Sequence, residues 1–596
     1  MSNHDQNSLN NTDSVSSRSL DWFWGTLWKF RSFYFESMVA TVVANILTLA
    51  SVFFTMNVYD RVVPAQAFMS LWTLAIGTVV AILLEFMMRW VKARLVDLGG
   101  KKADLAINAT LLREIMAIKL EHRPQSIGIF ASTMRDFHAL RDFFSSASLV
   151  LVADIPFTLL FLILIGIVGG PLVWVPVVLI PILILIGFIS QRPLMKSMRS
   201  GMKESGDRQS VLVESILNLE LLKAHHAESY LQDRWEKSNL AAAESYKKSR
   251  SVTNLVMGLT AACQQLASVA MVVWGVYMIS ANTLTLGGLI ACVILTGRAI
   301  APLGNIMSLA SRYQQARSSL ETLDILMQRP SDIQKGRQYI QPERFSGRIA
   351  ADAVEFSYPG ANARRVLQSV SIGIERGEHI ALLGKIGSGK STFLRVMAGL
   401  YSPTSGSVQV DGIDYRQIDP SSMRANIGYV GQDPQLFRGS LRDNLKLSDQ
   451  SISDTQLIDV LKSLDLYELI ESHPMGLDMP LTEAGGGLSG GQRQLIAIAR
   501  MMVRNPIYVF MDEPTSNMDK STEMRVIEVL KPWLEGRTLM LATHRLELLY
   551  LTERVAVFDR GSCIAQGTRE AIMQQLARGE QIARKKAQAQ TGQDEK

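Results

Sequence analysis

The sequence predicts two fold classes in one chain: a helical membrane domain, followed by a soluble domain of the α/β class. Three observations predict this order. Long apolar stretches fill the N-terminal half, short apolar runs alternate with amphipathic helices in the C-terminal part, and the length of 596 residues exceeds that of one domain. The content of 47% hydrophobic residues and the mean hydropathy of +0.13 fit a chain that is half membrane and half soluble.

Charge and cysteine content narrow the possible functions. The net charge is only +6, so we expect no nucleic-acid partner. The three cysteines lie far apart, without the spacing of a disulfide framework or of metal ligands. None of them precedes residue 263, which excludes a cysteine peptidase at the N-terminus.

The first 36 residues are predicted to form a tail and a short aromatic helix. Residues 1–19 are rich in Ser, Asn and Asp, which predicts disorder, and they lack the pattern of a cleaved signal peptide. The run from Trp22 to Arg31 interleaves aromatic and basic residues. This pattern favours an amphipathic helix at the cytoplasmic membrane interface, with a helix packed in a soluble core as the alternative.

Six apolar stretches are each long enough to cross a bilayer as a helix, which predicts a transmembrane domain over residues 37–318. They lie near 37–58, 69–91, 147–168, 171–190, 254–280 and 284–308. The long polar segments 92–146 and 191–253 are rich in Lys and Arg, so the positive-inside rule places them and both termini in the cytoplasm. Each is longer than a loop requires, which predicts helices that continue past the membrane.

Three ionisable residues lie in or near the apolar stretches. For Glu85 and Asp154 we favour a paired or snorkelling structural role near a membrane face. Arg298 lies deeper in the last stretch, where an intramembrane charge indicates the lining of a polar path. Arg298 is therefore a candidate for facing a central cavity, with a paired or snorkelling structural residue as the alternative.

The remaining chain is predicted to hold a linker, one soluble domain and a tail. Residues 319–346 are mixed and charged, which indicates the linker. Short strands and amphipathic helices predict the α/β domain over 347–578, and the polar residues 579–596 predict a disordered tail.

A glycine-rich turn in the soluble domain predicts a P-loop. It follows the apolar run 380–383, which indicates a buried strand, and it continues into a helix. Backbone N–H groups of such a turn surround a polyphosphate, the lysine reaches its β- and γ-phosphates, and the serine hydroxyl binds Mg²⁺. The helix N-terminus adds partial positive charge. The predicted phosphate-binding residues are Gly384, Lys385, Ile386, Gly387, Ser388, Gly389, Lys390, Ser391 and Thr392.

Two adjacent acids follow a second apolar run, 507–511. Asp512 is predicted to end a parallel strand and to reach the Mg²⁺ site, because ligands bind beyond the carboxyl ends of such strands. Glu513 is then placed to take a proton from an attacking water, as a general base. Two acids that merely cap the next helix are the alternative.

A further glycine-rich helix start lies between these motifs, at Leu488 to Gln494, and predicts a second anion site. Its sequence, Leu-Ser-Gly-Gly-Gln-Arg-Gln, resembles the signature of ATP-binding cassette (ABC) transporters. The resemblance implies a head-to-tail homodimer in which ATP lies between the P-loop of one subunit and the signature of the other. The signature residues expected to contact nucleotide are Ser489, Gly490, Gly491 and Gln492.

Other cassette positions follow from the same resemblance. Tyr358 is similar to the aromatic residue that stacks on adenine, Gln432 to the Q-loop residue that contacts Mg²⁺, and His544 to the switch histidine near the γ-phosphate. Residues 516–519 occupy the D-loop position, although Asn517 and Met518 replace the commoner Ala-Leu pair, and Thr482 to Gly485 fit the exporter loop before the signature. The family therefore implies an ATPase with catalytic Glu513 and His544, with Mg²⁺ held by Ser391, Gln432 and Asp512.

The membrane region resembles type I protein-secretion ATPases. The resemblance rests on Met56 to Pro64, Gly99 to Asp104, Arg141 to Phe144, Asp154 to Phe157 and Gly288 to Ile294, and with Asp21 to Gly25 it is greatest to exporters of large repeat-containing (RTX-type) adhesins. It implies a six-span type I ABC exporter domain and a P-loop nucleotide-binding domain in the bacterial inner membrane. It also implies an unfolded polypeptide substrate with a C-terminal secretion signal, a periplasmic adaptor and an outer-membrane channel.

One departure from that subfamily concerns the N-terminus. Its members usually carry a peptidase-like domain before the aromatic segment, whereas here about 20 residues precede it. A separate polypeptide, a truncated start, or substrate recognition by the membrane domain and cassette alone would each account for this.

The family implies alternating access coupled to cassette dimerisation. ATP binding closes the two cassettes, helices in 92–146 and 191–253 transmit the movement to the spans, and hydrolysis at Glu513 resets the dimer. A lipid or small-molecule exporter is the alternative with the same architecture, and a membrane-anchored regulatory ATPase would not need six spans.

Overall fold

The structure is a computed structural model that describes residues 21–123, 148–304, 306–334, 336–360, 364–482 and 485–578. The described chain divides into two compact units. The first comprises residues 21–116 and 148–329, and the second comprises residues 117–123 and 330–578.

The first unit is helical throughout its described length. Its helices are α1 (Asp21–Lys29), α2 (Arg31–Asn57), α3 (Phe68–Ala117), α4 (Ser148–Gly169), α5 (Trp174–Leu217), α6 (Leu219–Ala224), α7 (Glu228–Ser280), α8 (Leu286–Gly304) and α9 (Ile306–Met327). A π-helical turn, Val58–Val62, continues α2, and a 3₁₀ turn, Gly170–Val173, joins α4 to α5. Gly170 and Pro171 thus form the short connection that the sequence predicts between the third and fourth apolar stretches.

The six predicted apolar stretches fall in α2, α3, α4, α5, α7 and α8. By length and composition, four helical segments of the described chain could cross a membrane: Arg31–Ala65, Phe68–Ala117, Pro156–Leu217 and Glu228–Ser280. Pro156–Leu217 contains the third and fourth stretches, and Leu286–Pro302 is a shorter apolar helix. With 50 residues, α3 extends for about 75 Å at 1.5 Å per residue, which is more than twice the hydrocarbon core of a bilayer. The helices therefore continue far beyond the apolar stretches, as predicted.

The core of this unit joins the first span to the last. Phe161 and Ile165 of α4 are buried against Leu289 and Cys292 of α8, and Val52 of α2 belongs to the same cluster. Large aromatic and aliphatic side chains fill this core, so α2, α4 and α8 pack as one bundle.

The aromatic helix α1 departs from the expectation of an interfacial helix. Phe23 is fully buried in a cluster with Ile107 and Leu111 of α3 and with Leu320 and Leu323 of α9. Residues 107 and 111 lie beyond the apolar part of α3, so this face of α1 packs on the helical extensions rather than on a lipid surface. The alternative of a packed core helix is therefore the correct one for the Phe23 face.

Other side chains of α1 are exposed and could contact a membrane surface. Trp24 and Trp28 are exposed, and the guanidinium of Arg31 lies 5.6 Å from the Trp28 ring centroid. Aromatic and basic groups together suit a membrane interface, so the predicted interfacial contact is restricted to these side chains.

The charged residues of the apolar stretches have different surroundings. Glu85 accepts a hydrogen bond of 2.8 Å from Arg89, one turn later on α3, which is the paired structural role predicted for it. Arg298 lies exposed on α8 and forms no hydrogen bond or ion pair with the residues that the structure describes. The side chain of Asp154 lies outside the described residues, as does the predicted motif at 141–144.

The described part of the second unit contains three sheets. A four-stranded antiparallel sheet has the order β2-β1-β4-β5, with β1 (Ile349–Ser357), β2 (Arg365–Ile374), β4 (Ser405–Val410) and β5 (Ile413–Asp414). A six-stranded sheet has the order β12-β11-β3-β10-β9-β6, with β3 (His379–Gly384), β6 (Ile427–Val430), β9 (Tyr508–Asp512), β10 (Thr538–Ala542), β11 (Arg554–Asp559) and β12 (Ser562–Thr568). β7 (Gly439–Ser440) pairs with β8 (Pro480–Leu481).

Parallel pairing in the six-stranded sheet determines where the loops meet. β6, β9, β10, β3 and β11 are parallel, and only β12 at the edge runs antiparallel. Their carboxyl ends therefore open onto one edge, the usual ligand edge of such a sheet.

Seven helices in the described part of the second unit contribute to two cores. They are α10 (Lys390–Met397), α11 (Pro420–Ala425), α12 (Leu441–Leu445), α13 (Asp454–Ser463), α14 (Tyr467–Glu471), α15 (Gly490–Arg504) and α16 (Lys520–Trp533). Helix α10 packs in a core with the antiparallel sheet, whereas α15 packs in a second core with α13 and α16. The P-loop and signature helices are thus held by separate packing units.

The boundary between the units, after Arg329, lies inside the range predicted for the linker. Helix α9 continues to Met327, inside the predicted linker range of 319–346. Beyond it, Asp332 N–H donates to the Ala117 carbonyl at 2.7 Å, and the Lys119 ammonium donates to the Ser402 hydroxyl at 2.9 Å. These hydrogen bonds hold residues 117–119 within the second unit.

Candidate nucleotide-binding site

The predicted phosphate motifs meet at the ligand edge of the six-stranded sheet. β3 ends at Gly384, β9 at Asp512, and β10 at Ala542, two residues before His544. Ala542 pairs with both Leu382 and Asp512 in the parallel register, so β9 and β10 end at the same level and β3 continues two residues further. Local strand-turn-helix patterns thus place residues distant in sequence at one site.

The turn after β3 has the open shape of a P-loop. Gly384 has a φ of +153°, and a Cβ there would lie 2.3 Å from the Phe558 carbonyl oxygen, so only glycine fits. Lys385, Ile386 and Gly387 are exposed, whereas Ser388 is buried. The loop therefore presents backbone to solvent, as a phosphate cradle requires.

The P-loop lysine is folded onto its own loop. The Lys390 ammonium donates to the carbonyl oxygens of Gly384 at 2.7 Å and Lys385 at 3.1 Å. Burial lowers the pKa of Lys390, against the opposing charges of Glu513 and Asp512. The ammonium thus stands at the mouth of the loop, where phosphate oxygens could replace the carbonyls.

Ser391 and Asp512 form the candidate Mg²⁺ position. The Ser391 hydroxyl donates to Asp512 Oδ1 at 3.0 Å, while Asp512 Oδ2 is buried without a partner among the described residues. Burial raises the pKa of Asp512, because the carboxylate loses water. A free carboxylate oxygen beside a hydroxyl fits Mg²⁺, which prefers a few oxygen ligands and keeps others for phosphate and water.

The described residues contain no larger metal cage, since no group of three His, Cys, Asp or Glu side chains converges.

Glu513 and His544 form a direct pair. His544 Nδ1 lies 2.7 Å from Glu513 Oε1, and the Thr543 hydroxyl donates to Oε2 at 3.4 Å. Glu513 is 8% exposed and has a φ of +49°, in the left-handed region that non-glycine residues seldom adopt. The backbone therefore turns sharply after β9 and directs this carboxylate toward the switch position, so it does not cap the next helix; that cap is Asp519.

Tyr358 lies beside the P-loop helix. Its hydroxyl is 3.3 Å from the Thr392 hydroxyl, and its ring meets those of Phe356 and Tyr401 edge-on, with centroids 5.1 Å and 5.8 Å away. The ring is 39% exposed, so one side could still stack on a base.

Gln432 lies at the same sheet edge, two residues after the end of β6. Gln432 is exposed, and among the described residues its side chain has no hydrogen bond to Ser391 or Asp512. The structure thus brings Gln432 to the correct edge without placing its amide on the Mg²⁺ position.

Gln494 is a residue that sequence reasoning did not select. It is fully buried, and its amide nitrogen donates to the Gln432 carbonyl at 3.4 Å, the Glu513 carbonyl at 3.4 Å and the Ser516 hydroxyl at 2.7 Å. Its oxygen accepts from Asn517 N–H at 3.0 Å. One side chain therefore connects the Q-loop, the base and the D-loop. In the sequence, the only sign of this role was a polar residue on the apolar face of α15.

The signature residues form a capped helix start. The Ser489 hydroxyl accepts from Gln492 N–H at 3.1 Å, and the Gln492 side chain accepts from Ser489 N–H at 2.9 Å, which is a capping box. Gly490 and Gly491 lie against Asn517, where a Cβ would come within 3.2 Å of it. Ser489 is exposed, and no hydrogen bond in the described chain joins residues 488–492 to the P-loop. The two predicted anion sites are thus separate within one chain.

The D-loop is held by its own neighbours. Asp519 caps α16 by accepting from Ser521 and Thr522, and these hydrogen bonds hold the pKa of Asp519 below its usual range. Arg545 donates to Glu523 at 2.9 Å and to the Ser516 carbonyl at 3.1 Å, which links the switch loop to the D-loop. Residues 483 and 484 of the predicted pre-signature loop lie outside the described residues.

Comparisons with known proteins agree with this geometry. Residues 34–303 match the family model of the ABC transporter transmembrane region, and residues 367–516 match that of the ABC transporter. The leukotoxin translocation ATP-binding proteins LktB of Mannheimia glucosida and Bibersteinia trehalosi are each 28% identical over 557 residues, which cover 93% of this chain and 78% of theirs.

A solved structure shares the fold. The structure of a bacterial Atm1-family ABC exporter with ATP bound superposes with a TM-score of 0.82 at 22% identity, covering 93% of this chain and 98% of that one. The predicted fold class is therefore confirmed. The chain belongs to the ABC transporter family, as an ABC exporter half-transporter that joins one transmembrane domain to one ATP-hydrolysing nucleotide-binding domain.

Proposed function

We propose that the protein is the ATPase and permease of a type I secretion system, which exports an unfolded polypeptide with a C-terminal secretion signal across the bacterial inner membrane. The observation that carries the proposal is the similarity to leukotoxin translocation proteins along 93% of the chain, membrane domain included. The similarity of the membrane domain matters, because exporters of many different substrates have the same cassette and the cassette does not distinguish them.

ATP binding is assigned to the edge of the six-stranded sheet. Tyr358 stacks on adenine, the backbone of 384–389 surrounds the phosphates, and Lys390 exchanges its loop carbonyls for the β- and γ-phosphate oxygens. Ser391, Asp512 and Gln432 would hold Mg²⁺, which when bound neutralises phosphate charge. The unpartnered Asp512 Oδ2 supports this assignment.

Glu513 is the general base for hydrolysis. It takes a proton from water as the water oxygen bonds to the γ-phosphorus, and the bond to the β-phosphate oxygen breaks to leave ADP and phosphate. His544 holds the carboxylate through the 2.7 Å contact, and its resemblance to the switch histidine assigns it to the γ-phosphate.

The signature acts on the nucleotide of a second copy. Ser489, Gly490, Gly491 and Gln492 present an exposed helix start that is not connected to the P-loop of its own chain. A helix N-terminus attracts phosphate, so a head-to-tail homodimer gives each ATP both motifs.

Both termini and the helical extensions lie in the cytoplasm, as the basic loops predict. A periplasmic adaptor and an outer-membrane channel then continue the export path. The closing of two cassettes on ATP drives the spans between inward and outward access through the long helices.

Substrate-dependent ATP hydrolysis by the full chain in liposomes tests this function. We expect a peptide that ends in a C-terminal secretion signal to change the hydrolysis rate, and a scrambled peptide to have no effect. Hydrophobic compounds are the matched comparison, and a response to them alone would establish a lipid or small-molecule exporter instead. Lys390→Ala is expected to lose nucleotide binding and hydrolysis under all conditions, and wild-type turnover in it would contradict the P-loop assignment.

A further inference from the structure

The end of the first span carries a polar contact that its sequence motif does not explain. The π-helical turn Val58–Val62 follows α2, and it presents Asp60 to the start of α8, more than 220 residues later in the chain. Asp60 Oδ2 accepts from the Thr285 hydroxyl at 2.7 Å, and Oδ1 accepts from Gly287 N–H at 2.7 Å. Both carboxylate oxygens are therefore bound by one helix start.

This contact completes the cap of α8. The Thr285 hydroxyl accepts from Gly288 N–H at 3.0 Å while it donates to Asp60. A carboxylate at a helix N-terminus is favoured by the partial positive charge of the first turn, and hydrogen bonds to an ionised acceptor are the stronger ones. Asp60 thus holds α2 to α8 with more than van der Waals contact.

The first span and the start of α8 approach each other closely at Gly287. A Cβ at Gly287 would lie 2.3 Å from the Met56 carbonyl oxygen and 2.7 Å from Asp60 Cγ. The π-helical turn widens the chain at this point and brings the Asp60 carboxylate within reach of the Gly287 N–H. The glycine, the π-helical turn and the acid therefore all favour the close approach of the first span to the start of α8.

The contact lies at the solvent edge rather than in the core. Thr285 is exposed and Asp60 is half-buried, so water can take the place of either hydrogen bond once the helices move apart. Below it, the interface of α2 and α8 is apolar, with Val52 and Leu289 in one cluster. A polar contact open to water can re-form in each cycle at little cost, which is the property of a reversible closure.

We propose that Asp60 is a latch that closes the exit side of the membrane domain by tying the first span to the last, and that each transport cycle has to open it. The proposal rests on the proposed function, because the cytoplasmic placement of the basic loops puts residue 60 on the opposite, exit side. Asp60 is a positioning residue: it touches neither nucleotide nor phosphate, and it acts through the position of α8.

A reversible cross-link tests the latch. The full chain with Asp60→Cys and Thr285→Cys is placed in liposomes, oxidised to form the disulfide, and assayed for ATP turnover before and after reduction. Asp60→Cys alone and Thr285→Cys alone are the matched controls, and they also report any bond to a native cysteine. We expect the ATP turnover of the oxidised double variant to fall to that of Lys390→Ala and to recover after reduction. Full turnover of the quantitatively cross-linked protein would make the contact a static brace and overturn the latch.

Weakening the hydrogen bonds of Asp60 is expected to have the opposite effect on ATP turnover. We expect Asp60→Asn to raise ATP turnover in the absence of any peptide, since the exit side opens more readily, whereas Thr283→Ala on the same loop retains the wild-type rate. An unchanged rate in Asp60→Asn would count against the latch. Neither assay contains an export substrate, so a failure of the polypeptide-export proposal would leave both outcomes readable.

Discussion

At the residue scale, the proposed general base Glu513 lies 2.7 Å from His544. Glu513→Gln keeps the shape of the side chain but removes the proton acceptor, so we expect ATP binding to persist while turnover falls by about 10²-fold or more. The variant is also expected to remain as a closed dimer with ATP bound. Radiolabelled ATP binding, phosphate release and size-exclusion chromatography measure the three properties. Sustained turnover at the wild-type rate would remove Glu513 from the role of base.

We expect the burial of Asp512 to lower the stability of the nucleotide-free cassette. Its pKa is raised by burial, so the fold disfavours the ionised carboxylate, and this penalty is present at neutral pH and disappears as the pH falls through the range of an ordinary Asp. We expect Asp512→Asn to raise the Tm of the nucleotide-free protein at pH 7 while it weakens Mg²⁺-dependent ATP binding. Differential scanning fluorimetry measures the shift.

Asp519 provides the matched control for that prediction. Its pKa is lowered by hydrogen bonds from Ser521 and Thr522, so its ionised form stabilises the fold at pH 7. Asp519→Ala should therefore lower the Tm under the conditions in which Asp512→Asn raises it. A lower Tm for both variants would contradict the assigned cost of burying Asp512.

The candidate site shows which residues a sequence can reveal. Lys390, Ser391 and Asp512 were predictable because each belongs to a short strand-turn pattern whose chemistry is local. Gln494 was not, since its importance comes from hydrogen bonds to loops that begin at residues 432, 513 and 516. The role of such a residue depends on which segments pack around it, and that is determined by the tertiary fold.

At the element scale, α8 has two different faces. Leu295 and Ala299 are buried, whereas Arg298 is exposed and has no partner among the described residues. An unpaired guanidinium that faces lipid has a high free-energy cost. This face of α8 is therefore better placed against an aqueous path or a second copy of the protein.

Charge reversal of Arg298 tests which function that face serves. We expect Arg298→Glu to impair export and the response of ATP turnover to peptide, while basal hydrolysis remains, because the cassette is untouched. Arg298→Lys keeps the charge and should keep transport. Transport at the wild-type rate in Arg298→Glu would show that the charge does not line the path.

Helix α1 shows where prediction of elements from sequence ends. Its helical state followed from its composition, and the apolar stretches that form α2, α3 and α8 were equally evident. The partners of Phe23 were not, because Ile107 and Leu320 lie on helices whose apolar faces give no indication of what covers them. An aromatic and basic segment looks the same in sequence whether its apolar face meets lipid or protein.

At the scale of the whole molecule, the separation of the two anion sites predicts the form of the active assembly. The P-loop helix and the signature helix belong to different cores, and no hydrogen bond in the described chain joins their motifs. In the proposed head-to-tail homodimer, each ATP-binding site is completed by the signature of the other copy, and the two active sites are shared.

Two purified heterodimers with the same pair of lesions distinguish shared sites from sites completed within one chain. When one copy carries Lys390→Ala and the other Ser489→Arg, sharing places both lesions in one site and leaves the second site intact, so ATP hydrolysis persists. When one copy carries both substitutions and the other is wild type, sharing damages both sites, so hydrolysis is lost. If each chain completed its own site, the two results would be reversed. Dual-tag purification and a phosphate-release assay provide the measurement, and its sign does not depend on the identity of the transported substrate.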